Sequence, residues 1–161
     1  QRSNTEKSAK HSRIRQDAMD NGSAMVGVLS DRDRFILGVG IYWGEGNKGR
    51  HEVRLTNMDP VMLRGFIGWL SLLGVPPRDI TVRVDVAQSH DKDSTAKWWA
   101  GNLSVDISHV VVYQRVSPTS KHKTTRPDYH GVASVSLNNT VVQSRILGMI
   151  SAVSQERTCS M

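Results

Sequence analysis

The sequence predicts an α+β fold in which helices pack on one face of a mixed or antiparallel sheet. Apolar residues recur at helical spacing in residues 61–73 and 141–153, whereas they alternate with polar residues in 80–86 and 131–137. The first pattern indicates a helix with one buried side, and the second indicates a half-buried strand. These elements follow each other in mixed order, with a hairpin expected through residues 110–137. That order indicates helices layered on one sheet face.

The N-terminal segment, residues 1–28, is expected to be a basic helix or linker, because alanine and charged residues favour helix over strand. Three interpretations of this segment stay open: a solvated helix or tail, a basic arm along DNA phosphates, or the connection from an earlier domain. The start at Gln1 rather than Met leads us to expect further residues before it. Asn21, Gly22 and Ser23 are expected to break the segment. Residues 29–155 are expected to form the domain, and 156–161 a tail.

The most distinctive stretch runs from Phe35 to Gly46 and is apolar except for one acid near its end. Ser30 is a suitable N-cap, two aspartates follow in the first turn, and Gly46 is a suitable stop. Three glycines lie inside this helix, and each costs about 1 kcal/mol relative to alanine. Two of them, Gly40 and Gly44, are four residues apart, so they share a face that another backbone can approach closely.

The remaining elements are assigned from local signals. Strands are expected at 51–57, 79–87, 110–115 and 131–137, and a short helix at 94–102, with a further turn at 106–108. Asp59-Pro60 opens a helix that Gly74 closes, and Asn138 or Asn139 caps the last helix. We expect three tryptophans in the core, since each lies in a helix with apolar neighbours: Trp69, Trp98 and Trp99.

Composition limits the possible partners and compartment. The chain has 161 residues, enough for one domain with a core, and carries 21 Lys and Arg against 15 Asp and Glu, a net charge of +6. This favours a polyanion such as nucleic acid, although charge alone leaves an anionic membrane surface open. The lone Cys159 excludes an internal disulfide and favours a reducing compartment. Without a signal peptide, a transmembrane stretch or zinc-ligand spacing, we expect a cytoplasmic protein, nucleoid-associated or organellar in a eukaryote, that is neither secreted nor membrane-bound.

The stretch from Phe35 to Gly46 resembles the signature helix of the LAGLIDADG homing endonucleases. Gly40, Gly44, Glu45 and Gly46 fall where that motif has its packing glycine, second small residue, metal-binding acid and final glycine. Over residues 30–153 the resemblance implies a curved sheet that cradles DNA, with the helices on its far side. The chain departs from the family in an abbreviated first hairpin around residues 47–50 and in residues 88–108, which look inserted.

The resemblance also implies an assembly and a chemistry. One motif per chain implies a homodimer with Gly40, Trp43 and Gly44 at its interface. Two Glu45 carboxylates would then meet beside the Gly44 residues and hold Mg²⁺, or another divalent cation such as Mn²⁺ or Ca²⁺. Such a metal activates water for phosphodiester cleavage. The expected activity is therefore that of a divalent-metal-dependent endonuclease acting on a specific double-stranded DNA site.

Candidate DNA-binding residues lie on strand faces that point away from the core and in basic turns. Arginine can read guanine with two hydrogen bonds, and loop cations bind phosphates. The strand candidates are Arg54, Thr56, Arg83 and Arg115; the turn candidates are Lys48 and Arg50; and the loop candidates are Lys121, His122, Lys123 and Arg126.

Two other functions stay open from the sequence. A DNA-binding transcriptional regulator with the same fold but without cleavage is favoured by the abbreviated hairpin and the basic N-terminal segment. Glu45 between two glycines favours the endonuclease. The other possibility, which involves no DNA, is an oligomeric scaffold with an incidentally basic surface.

Overall fold

The computed structural model describes residues 2–49, 51–115 and 129–155. The chain divides into two compact units, Gln1–Arg34 and Phe35–Met161. The first unit contains α1 (Arg2–Val26), whose side chains are exposed from residue 7 onward. The break predicted at residues 21–23 is wrong, since small polar residues weaken a helix without the steric block of proline. The helix ends before Gly27, where φ is +61°.

Helix α2 (Asp31–Glu45) begins with the predicted N-cap at Ser30. The Ser30 hydroxyl donates to the Asp33 carboxylate at 2.6 Å, and the Asp33 amide donates back to that hydroxyl at 3.2 Å. The Ser30 amide donates to the same carboxylate at 2.8 Å, and these bonds lower the pKa of Asp33. This reciprocal cap satisfies donors that a helix start leaves without partners. The helix end is also as predicted, with the Gly46 amide donating to the Tyr42 carbonyl.

The second unit contains a four-stranded mixed sheet. Its strands are β1 (Glu52–Asn57), β2 (Thr81–Ala87), β3 (Val110–Arg115) and β4 (Val132–Asn138), in the spatial order β1-β4-β2-β3. Strand β4 is antiparallel to both β1 and β2, whereas β3 is parallel to β2. All four predicted strands are therefore present, and the α+β class is confirmed.

The predicted hairpin between residues 110–115 and 131–137 is wrong. Strand β3 pairs with β2 and lies at the sheet edge, while β4 lies between β1 and β2. A parallel pair needs a crossover connection, which the helix between β2 and β3 provides. The inward side chains of β4 (Ala133, Val135 and Leu137) are all buried, as expected of a central strand.

Three more helices complete the unit: α3 (Pro60–Leu72), α4 (Lys92–Leu103) and α5 (Thr140–Ser154). Asp59 caps α3 as predicted, and Asn139 rather than Asn138 caps α5. The short helix begins two residues before its predicted start, because Asp91 accepts from the Ser94 amide at 2.7 Å. Short 3-10 turns lie at Pro77–Asp79 and Ile107–His109.

The core lies between these helices and one sheet face. Trp69 and Trp99 are fully buried, as predicted, while Trp98 is only partly buried and stacks on the His130 ring at 3.8 Å. The strands contribute the alternate residues Val53, Leu55, Val82, Val84, Val86, Ala133, Val135 and Leu137. None of the helices in the described part of the chain combines the length and apolar character needed to cross a bilayer.

The glycines of α2 have different surroundings. A β-carbon added at Gly38 would lie 2.1 Å from Cγ of Trp69, so only glycine fits there. At Gly40 and Gly44 an added β-carbon would meet no atom of the described chain within 4 Å. Gly38 is therefore the glycine that packs inside the chain, and the other two face outward.

Candidate nucleic-acid interface

In the described ranges, no helix of the second unit covers the other face of the sheet. Because strand side chains alternate in direction, the strand residues that alternate with the core residues belong to this face. We call it the open face, and it consists of Glu52, Arg54, Thr56, Thr81, Arg83, Asp85, Ala87, Val111, Tyr113, Arg115, Val132, Ser134, Ser136 and Asn138. The four strand residues predicted to bind DNA thus share one surface: Arg54, Thr56, Arg83 and Arg115.

The arginines of the open face are paired with carboxylates. Arg54 Nη2 lies 2.6 Å from Glu52 Oε2. Asp85 Oδ1 accepts from two arginines, Arg83 Nη2 at 3.2 Å and Arg115 Nε at 2.9 Å. The face therefore carries three arginines and two carboxylates, which makes it far less positive than the arginines alone suggest.

Tyr113 gives Arg83 a further contact. The guanidinium carbon lies 4.2 Å from the centre of the Tyr113 ring, a cation–π geometry. Sequence reasoning missed Tyr113, Glu52 and Asp85. Spacing by two in one strand could have indicated the Glu52–Arg54 and Arg83–Asp85 pairs, but the contacts from β3 to β2 depend on register.

The Asp85 contacts predict how acid affects stability. Hydrogen bonds from Arg115, and less strongly from Arg83, lower the pKa of Asp85 from its ordinary value of 3.8. The hydrogen bond to Asp85 and its negative charge in turn raise the pKa of Arg115. A lowered folded-state pKa stabilises the fold above pH 3.8, and this stability is lost as pH falls through the lower folded value. We expect Asp85→Asn to reduce the free energy of unfolding by less than about 1 kcal/mol at pH 7, because both arginines are largely exposed. Denaturant unfolding at pH 7 and pH 3 should show the difference shrinking with acid; a constant difference would contradict this.

A short turn follows α2 and meets β1. Its pairing with β1 is one antiparallel bridge between Gly46 and Leu55, and the Asn47 amide donates to the Arg54 carbonyl at 2.8 Å. Two core residues hold the turn: the Tyr42 hydroxyl donates to the Asn47 carbonyl, and the Gln143 amide group donates to the Gly49 carbonyl at 2.9 Å. Sequence reasoning missed both of these supports.

Two predicted residues flank this turn. Lys48 is exposed, and so is Glu45, the last residue of α2. In the part of the chain that the structure describes, no side chain pairs with the Glu45 carboxylate. An acid at a helix C-terminus lies at the negative end of the macrodipole, so a cation there would be favourable. Within the described ranges no three His, Cys, Asp or Glu residues form a group that could hold a metal. The Glu45 carboxylate and the Gly44 carbonyl are oxygen donors of the kind Mg²⁺ prefers, but one chain supplies only part of a ligand shell.

The outward side of α2 is apolar and includes two glycines without side chains. Its core side carries Gly38, Val39 and Tyr42. The outward residues, which we call the glycine stripe, are Ile36, Leu37, Gly40, Trp43 and Gly44, and the three large ones are 38%, 52% and 46% exposed, respectively. Contiguous exposed apolar surface of this kind often marks an interaction site. The predicted interface residues Gly40, Trp43 and Gly44 therefore lie together on the surface.

Five predicted DNA-binding residues lie outside the described residues: Arg50, Lys121, His122, Lys123 and Arg126.

The fold and the two exposed surfaces define the class of this chain as an α+β protein with a polar sheet face and an apolar helix face. Comparison with protein-family models, with curated proteins and with solved structures found no match.

Proposed function

We propose that this protein is a homodimeric double-stranded DNA endonuclease of the LAGLIDADG type, which uses Glu45 and a divalent metal. The observation that carries the proposal is the end of α2. An outward glycine stripe leads directly to an exposed acid that no described side chain neutralises.

The dimer forms through the glycine stripe. Two copies of α2 can approach backbone to backbone only where side chains are absent, and Gly40 and Gly44 are one helical turn apart on the same side. Trp43 beside them contributes apolar surface that a partner copy would cover. An isologous contact of this kind brings the two Glu45 residues close to the symmetry axis.

The metal would be held by the two Glu45 carboxylates together with Gly44 carbonyls and DNA phosphate. When bound, Mg²⁺ activates water and stabilises the leaving oxygen in phosphodiester cleavage. Without a cation the two carboxylates would repel each other and weaken the dimer.

DNA binds along the open face and the adjoining turn. Arg54, Arg83 and Arg115 supply guanidinium groups for base edges or phosphates, and Thr56 adds a hydroxyl that is 2.7 Å from that of Ser134. Lys48, three residues after Glu45, adds positive charge near the cleavage residue, and Arg50 follows it in the sequence. The basic residues at 121–126 add four more groups suited to phosphates: Lys121, His122, Lys123 and Arg126.

The second candidate function is a DNA-binding transcriptional regulator with the same dimer but no cleavage. The exposed N-terminal helix α1 favours it, because the basic residues of such a helix can bind phosphates without taking part in cleavage. Incubating supercoiled plasmid with the protein and Mg²⁺, with EDTA as the control, separates the two. Nicking supports the endonuclease. Salt-dependent duplex binding without nicking supports the regulator, and the absence of both supports a scaffold.

The dimer itself has a direct test in the double substitution Gly40→Ala with Gly44→Ala. We expect self-association to weaken at least about tenfold, because each methyl group would enter the space that the partner backbone needs. The monomer should become more stable by about 1 kcal/mol, since both positions are open within the chain and alanine favours helix. Sedimentation equilibrium measures association, and denaturant unfolding at low protein concentration measures stability.

A matched control is Gly65→Ala with Gly68→Ala in α3, where added β-carbons also meet open space. This pair should stabilise the fold without changing association. A wild-type protein that stays monomeric at high concentration, or α2 variants that associate like wild type, would contradict the proposed dimer.

A further inference from the structure

We propose that Asp85 is a positioning residue that sets DNA sequence specificity, because it holds Arg83 and Arg115 together as one reading unit. This inference rests on the proposed binding of DNA by the open face. It adds a role for an acidic residue on a surface that was expected to act through its positive charge.

The geometry of the contact supports this role. A single oxygen, Asp85 Oδ1, accepts from Arg83 within β2 and from Arg115 on the parallel neighbour β3. Arg115 makes this contact through Nε, so the edge formed by its two terminal amino groups is the one suited to a base. Arg83 uses Nη2 and is also held over the Tyr113 ring at 4.2 Å.

Holding two arginines in place changes what they contribute to binding. A long exposed side chain loses rotamer freedom when it binds, and a side chain already ordered in the unbound protein loses less. Preordered guanidinium groups favour two-bond contacts to guanine, which need a fixed direction, over contacts to phosphates, which do not.

The Asp85 charge acts on non-specific binding in the opposite direction. Affinity for any duplex depends on the phosphates that the protein neutralises, and a carboxylate between two arginines reduces that attraction. Asp85 therefore lowers affinity for random DNA while preserving affinity for the chosen site. Asp85 thereby raises the ratio of the affinity for the chosen site to the affinity for random DNA.

The open face supplies a matched control in Glu52. This residue carries the same charge on the same face, and its contact is to a single arginine of its own strand, Arg54. Removing Glu52 therefore takes away one charge and releases one arginine within a strand, whereas removing Asp85 takes away one charge and releases two arginines on neighbouring strands.

The experiment compares wild type with Asp85→Ala, Glu52→Ala and Arg115→Lys. A bound sequence is first selected from a random duplex library with wild-type protein. Affinities for the selected duplex and for the unselected pool are then measured by fluorescence anisotropy at two salt concentrations without divalent metal. Thermal unfolding of each variant checks that it is folded.

We expect both alanine variants to bind the random pool several-fold more tightly than wild type. Of these two variants, Glu52→Ala should strengthen binding to the selected and random duplexes alike, so its ratio of selected to random affinity should not change. Asp85→Ala should lower that ratio by about tenfold, in line with the loss of a two-bond base contact. Arg115→Lys keeps the positive charge but loses the planar pair of terminal amino groups that can make two bonds to a base, so it should lower the ratio by a similar factor.

Equal ratios for Asp85→Ala and Glu52→Ala would overturn the role of Asp85 while leaving DNA binding intact. A wild-type protein with no salt-dependent affinity for any duplex would instead overturn the proposed function, and the inference with it.

Discussion

Glu45→Gln is expected to reduce Mg²⁺-dependent nicking of supercoiled plasmid by at least about 100-fold. A glutamine keeps the size of the side chain but replaces a charged oxygen ligand with a neutral amide, which a hard cation such as Mg²⁺ binds poorly. In the proposed homodimer both copies of the residue change, so the site would lose two charges at once. The rate of conversion of supercoiled to relaxed plasmid, measured over a range of Mg²⁺ concentrations, gives the effect.

Two measurements make this result specific to the metal site. Asp93→Asn removes an exposed acid from α4, outside the open face and the glycine stripe, and should leave nicking within a few-fold of wild type. Binding of Glu45→Gln to duplex DNA without metal should equal or exceed that of wild type, since a negative charge is lost. Undiminished nicking by Glu45→Gln would show that this carboxylate is not a metal ligand.

Gly38→Ala is expected to lower the free energy of unfolding by about 3 kcal/mol or more. The new methyl group would lie 2.1 Å from Cγ of Trp69, a contact that the surroundings cannot relieve cheaply. Trp69 is 2% exposed and packs against the rings of Tyr42 and Phe66, with centroids 6.2 and 5.9 Å away. The clash exceeds the gain of about 1 kcal/mol in helix propensity. Denaturant unfolding below the concentration at which the protein associates measures the change.

The control is Gly65→Ala in α3, where the same change meets open space and should stabilise the fold by about 0.5–1 kcal/mol. Trp69→Phe, which introduces a smaller ring, supplies the second test. It should lower the free energy of unfolding of wild type. In the Gly38→Ala background it should lower that free energy less, or raise it. Purely additive effects of the two substitutions would mean that the methyl group and the indole do not meet.

The elements of this fold are predictable where their signals are local. Asp59 before Pro60 marks the start of α3, and the alternation of valine with polar residues marks β2, because caps and strand parity depend only on neighbouring residues. The place of β4 in the sheet depends on pairings with β1 and β2 that are distant in sequence, and no local signal encodes them. The extension of α1 through Gly22 was missed because a glycine weakens a helix without ending it.

The candidate site, like the fold, is predictable from the sequence only where the signals are local. Strand parity alone placed Arg54, Thr56 and Arg83 on one face, and the structure places them together. The Asp85–Arg115 contact needs the register of two parallel strands, which the sequence does not give. The three glycines inside α2 look alike in the sequence. Only the position of Trp69 shows that Gly38 serves the fold of the chain, whereas Gly40 and Gly44 do not.

The central position of β4 has a consequence for biosynthesis. Among the described strands, β1 and β2 are joined only through β4, whose residues 132–138 are synthesised after those of the other three strands. Until β4 has left the ribosome, the apolar side chains of β1 have no sheet partner, and of the described pairs only the parallel pair of β2 and β3 can form. The sheet therefore stays incomplete until its last strand emerges, and its folding depends on contacts of long sequence separation, which form slowly.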